Sequence, residues 1–233
     1  MRSAVVNVLA IDTATEVLAL SAQSGETWAT LCVNRGLQHS PALLPQADAL
    51  LAHLGLAAAD LELIVCSLGP GSFTGIRIGL ATAMGIGQAR GIPVVGVSTL
   101  DAMALPWGER GGDVFPVIDA RKGRIYTALY RAGTREGDYR DISPGDLAVL
   151  IADARAPMLA GPDALRIRAL LPAAWQGMPA VDFLDPRALL RLGMAEYRVK
   201  GAGDGILQPL YLRKSEAELM IGKNHGRQER PTE

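Results

Sequence analysis

The sequence predicts an α/β protein made of two related halves, and three observations carry that reading. Two apolar runs, Val5 to Asp12 and Val114 to Asp119, both end in Ile-Asp, as a buried central strand closed by a carboxylate would. Short strand-like runs alternate with apolar stripes at helical spacing, the pattern of sheets covered by helices. A stretch rich in Gly, Pro and charge, Pro106 to Asp113, then separates the two series like a boundary. The expected organisation is one unit over residues 1–105 and a second over 106–213. A polar tail at 214–233 is expected to be frayed or disordered.

In the first unit, Val5 to Asp12, Val17 to Ala22 and Thr27 to Val33 are separated by short polar turns and predict an antiparallel meander. Ser40-Pro41 opens a helix, with Ser40 as expected N-cap, and Leu43, Ala47, Leu50, Leu51 and Leu54 form its apolar stripe. Leu63 to Ser67 is a strand, and a glycine-rich loop leads into a helix reaching about Arg90. Ile92 to Val97 is the next strand, and Ser98 caps a helix over Thr99 to Leu105. After the boundary come strands at Val114 to Asp119, Ile125 to Tyr130 and Met158 to Ala160. Helices are expected at Pro144 to Ala152, Ala164 to Leu171 and Pro186 to Val199. Two βββαβα-like halves with matched Ile-Asp ends point to a duplication.

Composition removes several function classes. With 49% apolar and 20% charged residues over 233 positions, the chain can bury about 70% of its unfolded surface, so disorder is excluded as the main state. A net charge of -1 speaks against tight autonomous binding to nucleic acid, and 5% aromatics are too few for a base-stacking platform. No run approaches the length of a membrane span. The opening MRSAVVNVLAIDTATE is broken by Asn7 and ended by Asp12 without a small-residue cleavage site, which suits a strand better than a signal peptide. Cys32 and Cys66 lie in strands with no C-x-x-C pairing, as packing residues of a reducing cytosol would.

The segment GPGSFTGIRIG, Gly69 to Gly79, is the one most open to chemistry. A strand, a glycine-rich turn and a helix N-terminus can cradle an anion through free N–H groups and the helix dipole. The same glycines equally serve a tight turn and close packing, and no Lys-Ser or Lys-Thr follows as in a Walker A loop. In the following helix Gly75, Gly79, Ala83 and Gly87 recur every four residues, although an interior glycine costs about 1 kcal/mol against alanine. Such a stripe fits either close packing on the parent sheet or an interface with another chain. Asp12 could hold a metal or orient a phosphate, but Thr13-Ala14-Thr15 follows it where nucleotide-binding loops carry glycine, so an acceptor for turn N–H groups is the simpler role. Asp119-Ala120-Arg121 suits a local ion pair. His39, His53 and His225 have no metal-ligand spacing, and no G-x-S-x-G elbow or Ser/His/Asp signature occurs. No catalytic residue and no metal ligand is therefore assigned.

IDTATE (Ile11 to Glu16), His39-Ser40 with Leu43-Leu44-Pro45, GPGSFTGIRIG, Val94 to Leu100, Ile118 to Arg121 and Pro209 to Arg213 together resemble the bacterial TsaB (YeaZ) family. The resemblance runs from residue 9 to about 213. It implies an actin-like (ASKHA, ribonuclease H-like) fold of two βββαβα-type domains, the second reduced. It also implies a part in making N6-threonylcarbamoyladenosine at position 37 of tRNAs. In that family TsaD performs the transfer and carries the metal and nucleotide sites, TsaB is its non-catalytic dimerisation partner, and the ATPase TsaE joins them. The expectation is thus a cytoplasmic subunit with no cofactor of its own, with ATP and metal on TsaD, touching tRNA only through the complex and able to pair with itself when alone. A vestigial phosphate loop is expected at Asp12, Thr13, Gly69, Gly71, Ser72, Thr74 and Gly75. Pairing is expected through Leu43, Leu50, Gly75, Arg77, Gly79, Leu80, Ala81 and Met84, with Arg77, Leu80, Ala81 and Met84 taking over if the small-residue stripe packs on its own sheet. An active actin-like ATPase or sugar kinase and a metallopeptidase are the alternatives.

Overall fold

A computed structural model describes residues 7–34, 36, 39–201 and 207–213. Residues 5 and 6 of the expected first strand and the tail from 214 lie outside them. The first sheet has the order β3-β2-β1-β4-β5, from β1 (Val8–Asp12), β2 (Val17–Ser24), β3 (Thr27–Asn34), β4 (Leu63–Ser67) and β5 (Val94–Val97). The second repeats it as β8-β7-β6-β9-β10, from β6 (Asp113–Asp119), β7 (Ile125–Arg131), β8 (Thr134–Ile142), β9 (Met158–Ala160) and β10 (Ala180–Val181). In each half three antiparallel strands precede parallel ones: β1 pairs with β2 antiparallel and β4 parallel, as β6 does with β7 and β9. The two halves thus repeat one strand order, as the duplication reading expects.

Alternation along β1 sets the layers. Leu9 and Ile11 point to one face and pack with Leu43, Leu50 and Leu51 of α1 (Ser40–His53) and Ala83 of α2 (Phe73–Arg90). Val8 and Ala10 point to the other and meet Ala102 of α3 (Thr99–Ala104) and Ala188 to Leu190 of α6 (Pro186–Lys200). Leu100, Met103 and Ala104 of α3 also pack on the second sheet against Val114, Ile118 and Tyr130, so α3 lies between the sheets. The outer face of the second sheet carries α4 (Pro144–Ala152) and α5 (Ala164–Arg168) around Phe115 and Val117. Although α6 falls in residues 106–213, it covers the first sheet, so the units read from the sequence exchange a helix. Gly193 permits this: a Cβ there would lie within 3.0 Å of the Val65 side chain on β4.

Three details differ from the sequence reading. Ser40 is the first residue of α1; His39 holds the N-cap position without a side-chain cap bond, its Nε2 2.7 Å from the Thr15 carbonyl oxygen. Helix α5 stops at Arg168, short of Leu171. Strands β8 and β10 were not anticipated, because β8 is an exposed edge with no apolar alternation and β10 has only two residues. The expected cap at Ser98 forms, and α2 is capped by Ser72, whose Oγ accepts from the Gly75 N–H at 3.2 Å.

Candidate functional site

The C-terminal ends of β1, β4 and β6 meet in a cleft of about 450 Å³. One wall is the β1–β2 turn and the glycine-rich loop; the other is the β6–β7 turn with Asp163 and Arg166; residues 210–213 line it as well. The two Ile-Asp ends do equivalent work. Asp12 Oδ1 accepts from the Ala14 N–H at 2.8 Å, and Asp119 Oδ1 from the Arg121 N–H at 2.8 Å, each closing a turn two residues on. Asp119 also pairs with Arg166 at 2.7 Å and Arg121 at 3.5 Å, as the local ion-pair reading expects. Arg121 reaches Glu16 on the opposite wall at 2.5 Å, a cross-cleft bridge between exposed groups and so of small energetic weight.

Asp12 is buried, and Ser67 Oγ donates to its Oδ1 at 2.8 Å, while Oδ2 has no partner among the described residues. Burial dominates its titration and pushes the carboxyl above its ordinary value, against the Ala14 and Ser67 hydrogen bonds and the nearby His39 ring, which pull it down. The unfolded chain therefore ionises Asp12 at lower pH than the folded one. Between the two pKa values the unfolded state binds fewer protons, so stability falls as pH rises from the ordinary carboxylate value through the folded pKa. Asp12→Asn keeps one acceptor oxygen and cannot ionise. It is therefore expected to flatten this pH dependence, read by thermal melts across that window. A pH dependence as steep as that of the wild type would refute it.

The glycine-rich loop fills its space with its own chain. A Cβ at Gly71 would lie within 3.0 Å of the Ala14 carbonyl oxygen, one at Gly75 within 3.0 Å of the Thr13 carbonyl oxygen, and one at Gly79 within 3.0 Å of Thr13 Oγ1. The Ser72 N–H donates to the Ala14 carbonyl at 2.7 Å, and Thr13 Oγ1 donates to the Gly75 carbonyl at 2.7 Å. Two of the loop's N–H groups, those of Ser72 and Gly75, are thus turned to the β1–β2 turn and to the Ser72 cap. Gly69 adopts φ +97, with its carbonyl accepting from the Thr99 N–H at 2.8 Å. Thr74 is exposed at the cleft. Among the described residues no group of three or more His, Cys, Asp or Glu side chains could hold a metal ion.

The expected pairing residues divide in two. Leu43 and Leu50 are core residues beneath α1, and Gly75 and Gly79 are sealed against Thr13, so these four cannot meet another chain. Apolar periodicity marked a buried face correctly, but the neighbour that buries it is the parent sheet. Arg77 and Ala81 are exposed and Met84 half-buried on the outward side of α2, and Leu80 is half-buried with part of its side chain on the first-sheet core. The sequence reading gave no role to Phe73, Tyr211 and Arg213. Their signal was their place in the stretches that carry the family resemblance, Phe73 in GPGSFTGIRIG and Tyr211 and Arg213 in Pro209 to Arg213, since a segment without periodicity shows no partner.

A profile described as TsaD: tRNA N6-adenosine threonylcarbamoyltransferase matches residues 36–183. A Mycobacterium tuberculosis protein described as uncharacterised is 34% identical over 220 residues, covering 91% of this chain and 93% of that one. The Bacillus subtilis tRNA threonylcarbamoyladenosine biosynthesis protein TsaB is 34% identical over 147 residues, and the match covers only 63% of each chain. Among solved structures, YeaZ from Pseudomonas aeruginosa superposes with a TM-score of 0.73 at 27% identity, covering 89% of this chain and 100% of that one. No helix of the described residues is long and apolar enough to cross a membrane.

Proposed function

The chain belongs to the TsaB (YeaZ) family, related to the TsaD threonylcarbamoyltransferases, and on that footing we propose that it is the non-catalytic subunit of a tRNA threonylcarbamoyladenosine transferase complex. It pairs with a TsaD-type subunit, which holds the ATP and metal, and an ATPase of the TsaE kind joins the pair. Its contact with tRNA is made through the complex, in the cytoplasm, and without its partner it can pair with a second copy through the same face. The observation that carries the reading is the filled glycine loop: Thr13 and Ala14 fill the space beside Gly71, Gly75 and Gly79, and Ala14 takes the Ser72 N–H. The donor set supports it, since the described carboxylates of the cleft are tied to arginines or to turn N–H groups. Arg77, Leu80, Ala81 and Met84 of α2 form the docking face.

Reconstitution tests this. Threonylcarbamoyladenosine formation on tRNA is expected to fall at least about 10-fold when this chain is left out of a mixture holding the TsaD-type subunit, the ATPase and the threonylcarbamoyl-adenylate donor. The chain alone is expected to transfer nothing and to leave ATP intact. Turnover by the isolated chain, or full modification without it, overturns the reading.

A further inference from the structure

Residues 207–213 touch both sheets in succession. Leu207 packs on the core of the first sheet, and the Leu210 N–H donates to the Leu68 carbonyl at 2.7 Å. Tyr211 stacks on Phe73 of α2, centroids 4.9 Å apart and planes at 30°. Leu212 joins the core of the second sheet, and Arg213 forks onto Asp141 of β8 at 3.0 and 3.1 Å. Seven residues thus make a strap from one sheet to the other.

The effect of the strap falls on Arg77, one turn after Phe73. Its guanidinium carbon lies 3.7 Å from the Phe73 ring centroid, and its Nε donates to the Tyr211 hydroxyl at 3.0 Å. Its two terminal nitrogens make no hydrogen bond or ion pair among the described residues. A guanidinium stacked on a ring and tethered at Nε has already lost most of its rotamer freedom, so it has less to lose on binding. Arg77 and Arg90 are the only charges on α2, and Leu80, Ala81 and Met84 after Arg77 are small or apolar. Once a partner covers that face, a lone cation must meet an anion or stay unpaired at a cost.

We propose that the strap holds Arg77 ready to take a carboxylate of the protein partner that docks on α2, with Tyr211 as a positioning residue. The proposal rests on the docking face assigned above. A planar fork with two free nitrogens matches a carboxylate bidentately. Its apolar surroundings suit a protein face, whereas tracking an RNA backbone needs a series of cations that α2 lacks.

Binding of the full-length chain to the TsaD-type subunit, measured at several salt concentrations, tests this. Arg77→Ala is expected to weaken pairing about 10-fold or more and to flatten its salt dependence, with Arg77→Lys recovering only part of the loss. Tyr211→Phe keeps the stack and removes the hydroxyl; it is expected to weaken pairing about 2- to 5-fold at unchanged melting temperature. If Arg77→Ala and Tyr211→Phe both pair like the wild type while Met84→Lys does not, the docking face stands and the role of Arg77 fails. If Met84→Lys also pairs normally, the docking reading itself fails. An Arg77→Ala chain that pairs normally, in a complex that loses affinity for tRNA, would assign the arginine to phosphate and overturn the proposal.

Discussion

Gly75→Ala is expected to destabilise the protein by about 3 kcal/mol or more, a large part of an ordinary domain's stability. The added methyl would lie within 3.0 Å of the Thr13 carbonyl oxygen, and neither side can retreat. Thr13 continues from β1, which is flanked by β2 and β4, and its Oγ1 is bonded to the Gly75 carbonyl. Relief would require pulling the N-terminal turn of α2 off the sheet and breaking that bond together with the one from the Ser72 N–H to Ala14. Helix propensity works the other way, by about 1 kcal/mol in favour of alanine, and is overwhelmed. Gly85 on the same helix supplies the control, because it is exposed and a Cβ there would meet nothing within 4 Å. Gly85→Ala should therefore gain up to about 1 kcal/mol from propensity alone. Denaturant melts of the two variants separate the cases: one substitution type on one helix, with opposite signs. A Gly75→Ala protein within about 1 kcal/mol of the wild type would mean that the loop has room, and the filled-cradle account would fall.

That pair also marks where sequence reading stops. The glycine period showed that something must approach α2 closely, and the structure identifies it as Thr13 for Gly75 and Gly79 and Val94 for Gly87. Spacing cannot distinguish a parent sheet from a foreign helix, because both leave the same small residues. The Ile-Asp ends were legible because a buried strand closed by a carboxylate dictates its own local turn, which Asp12 and Asp119 both make. Strand β8 was not, since an edge strand with charges on both faces has no apolar alternation to read. The strap was harder still. Its order comes from six scattered residues, Leu68, Phe73, Arg77, Ala120, Tyr126 and Asp141, that no local pattern joins to it.

With the stripe sealed inward, what remains outward on α2 carries the second large effect. Ala81→Glu and Met84→Lys are each expected to weaken pairing with the TsaD-type subunit about 100-fold or more. A charge forced into a small, apolar contact is desolvated without an assigned partner, which costs several kcal/mol. The free chain is expected to tolerate both. Ala81 is exposed, so a glutamate there stays hydrated, and the long stem of a lysine at the half-buried Met84 can carry its ammonium out to water. Melting temperatures within a few degrees of the wild type, alongside lost co-sedimentation and lost tRNA modification, are the expected combination. The comparison with Leu50→Lys makes the result specific. Leu50 is buried against the first sheet, so a lysine there should unfold the monomer instead of leaving it folded and alone. If Ala81→Glu and Met84→Lys assemble at wild-type affinity, the outward face of α2 is not where the partner sits, and the search would move to the exposed side of α1 at Leu44 and Asp48.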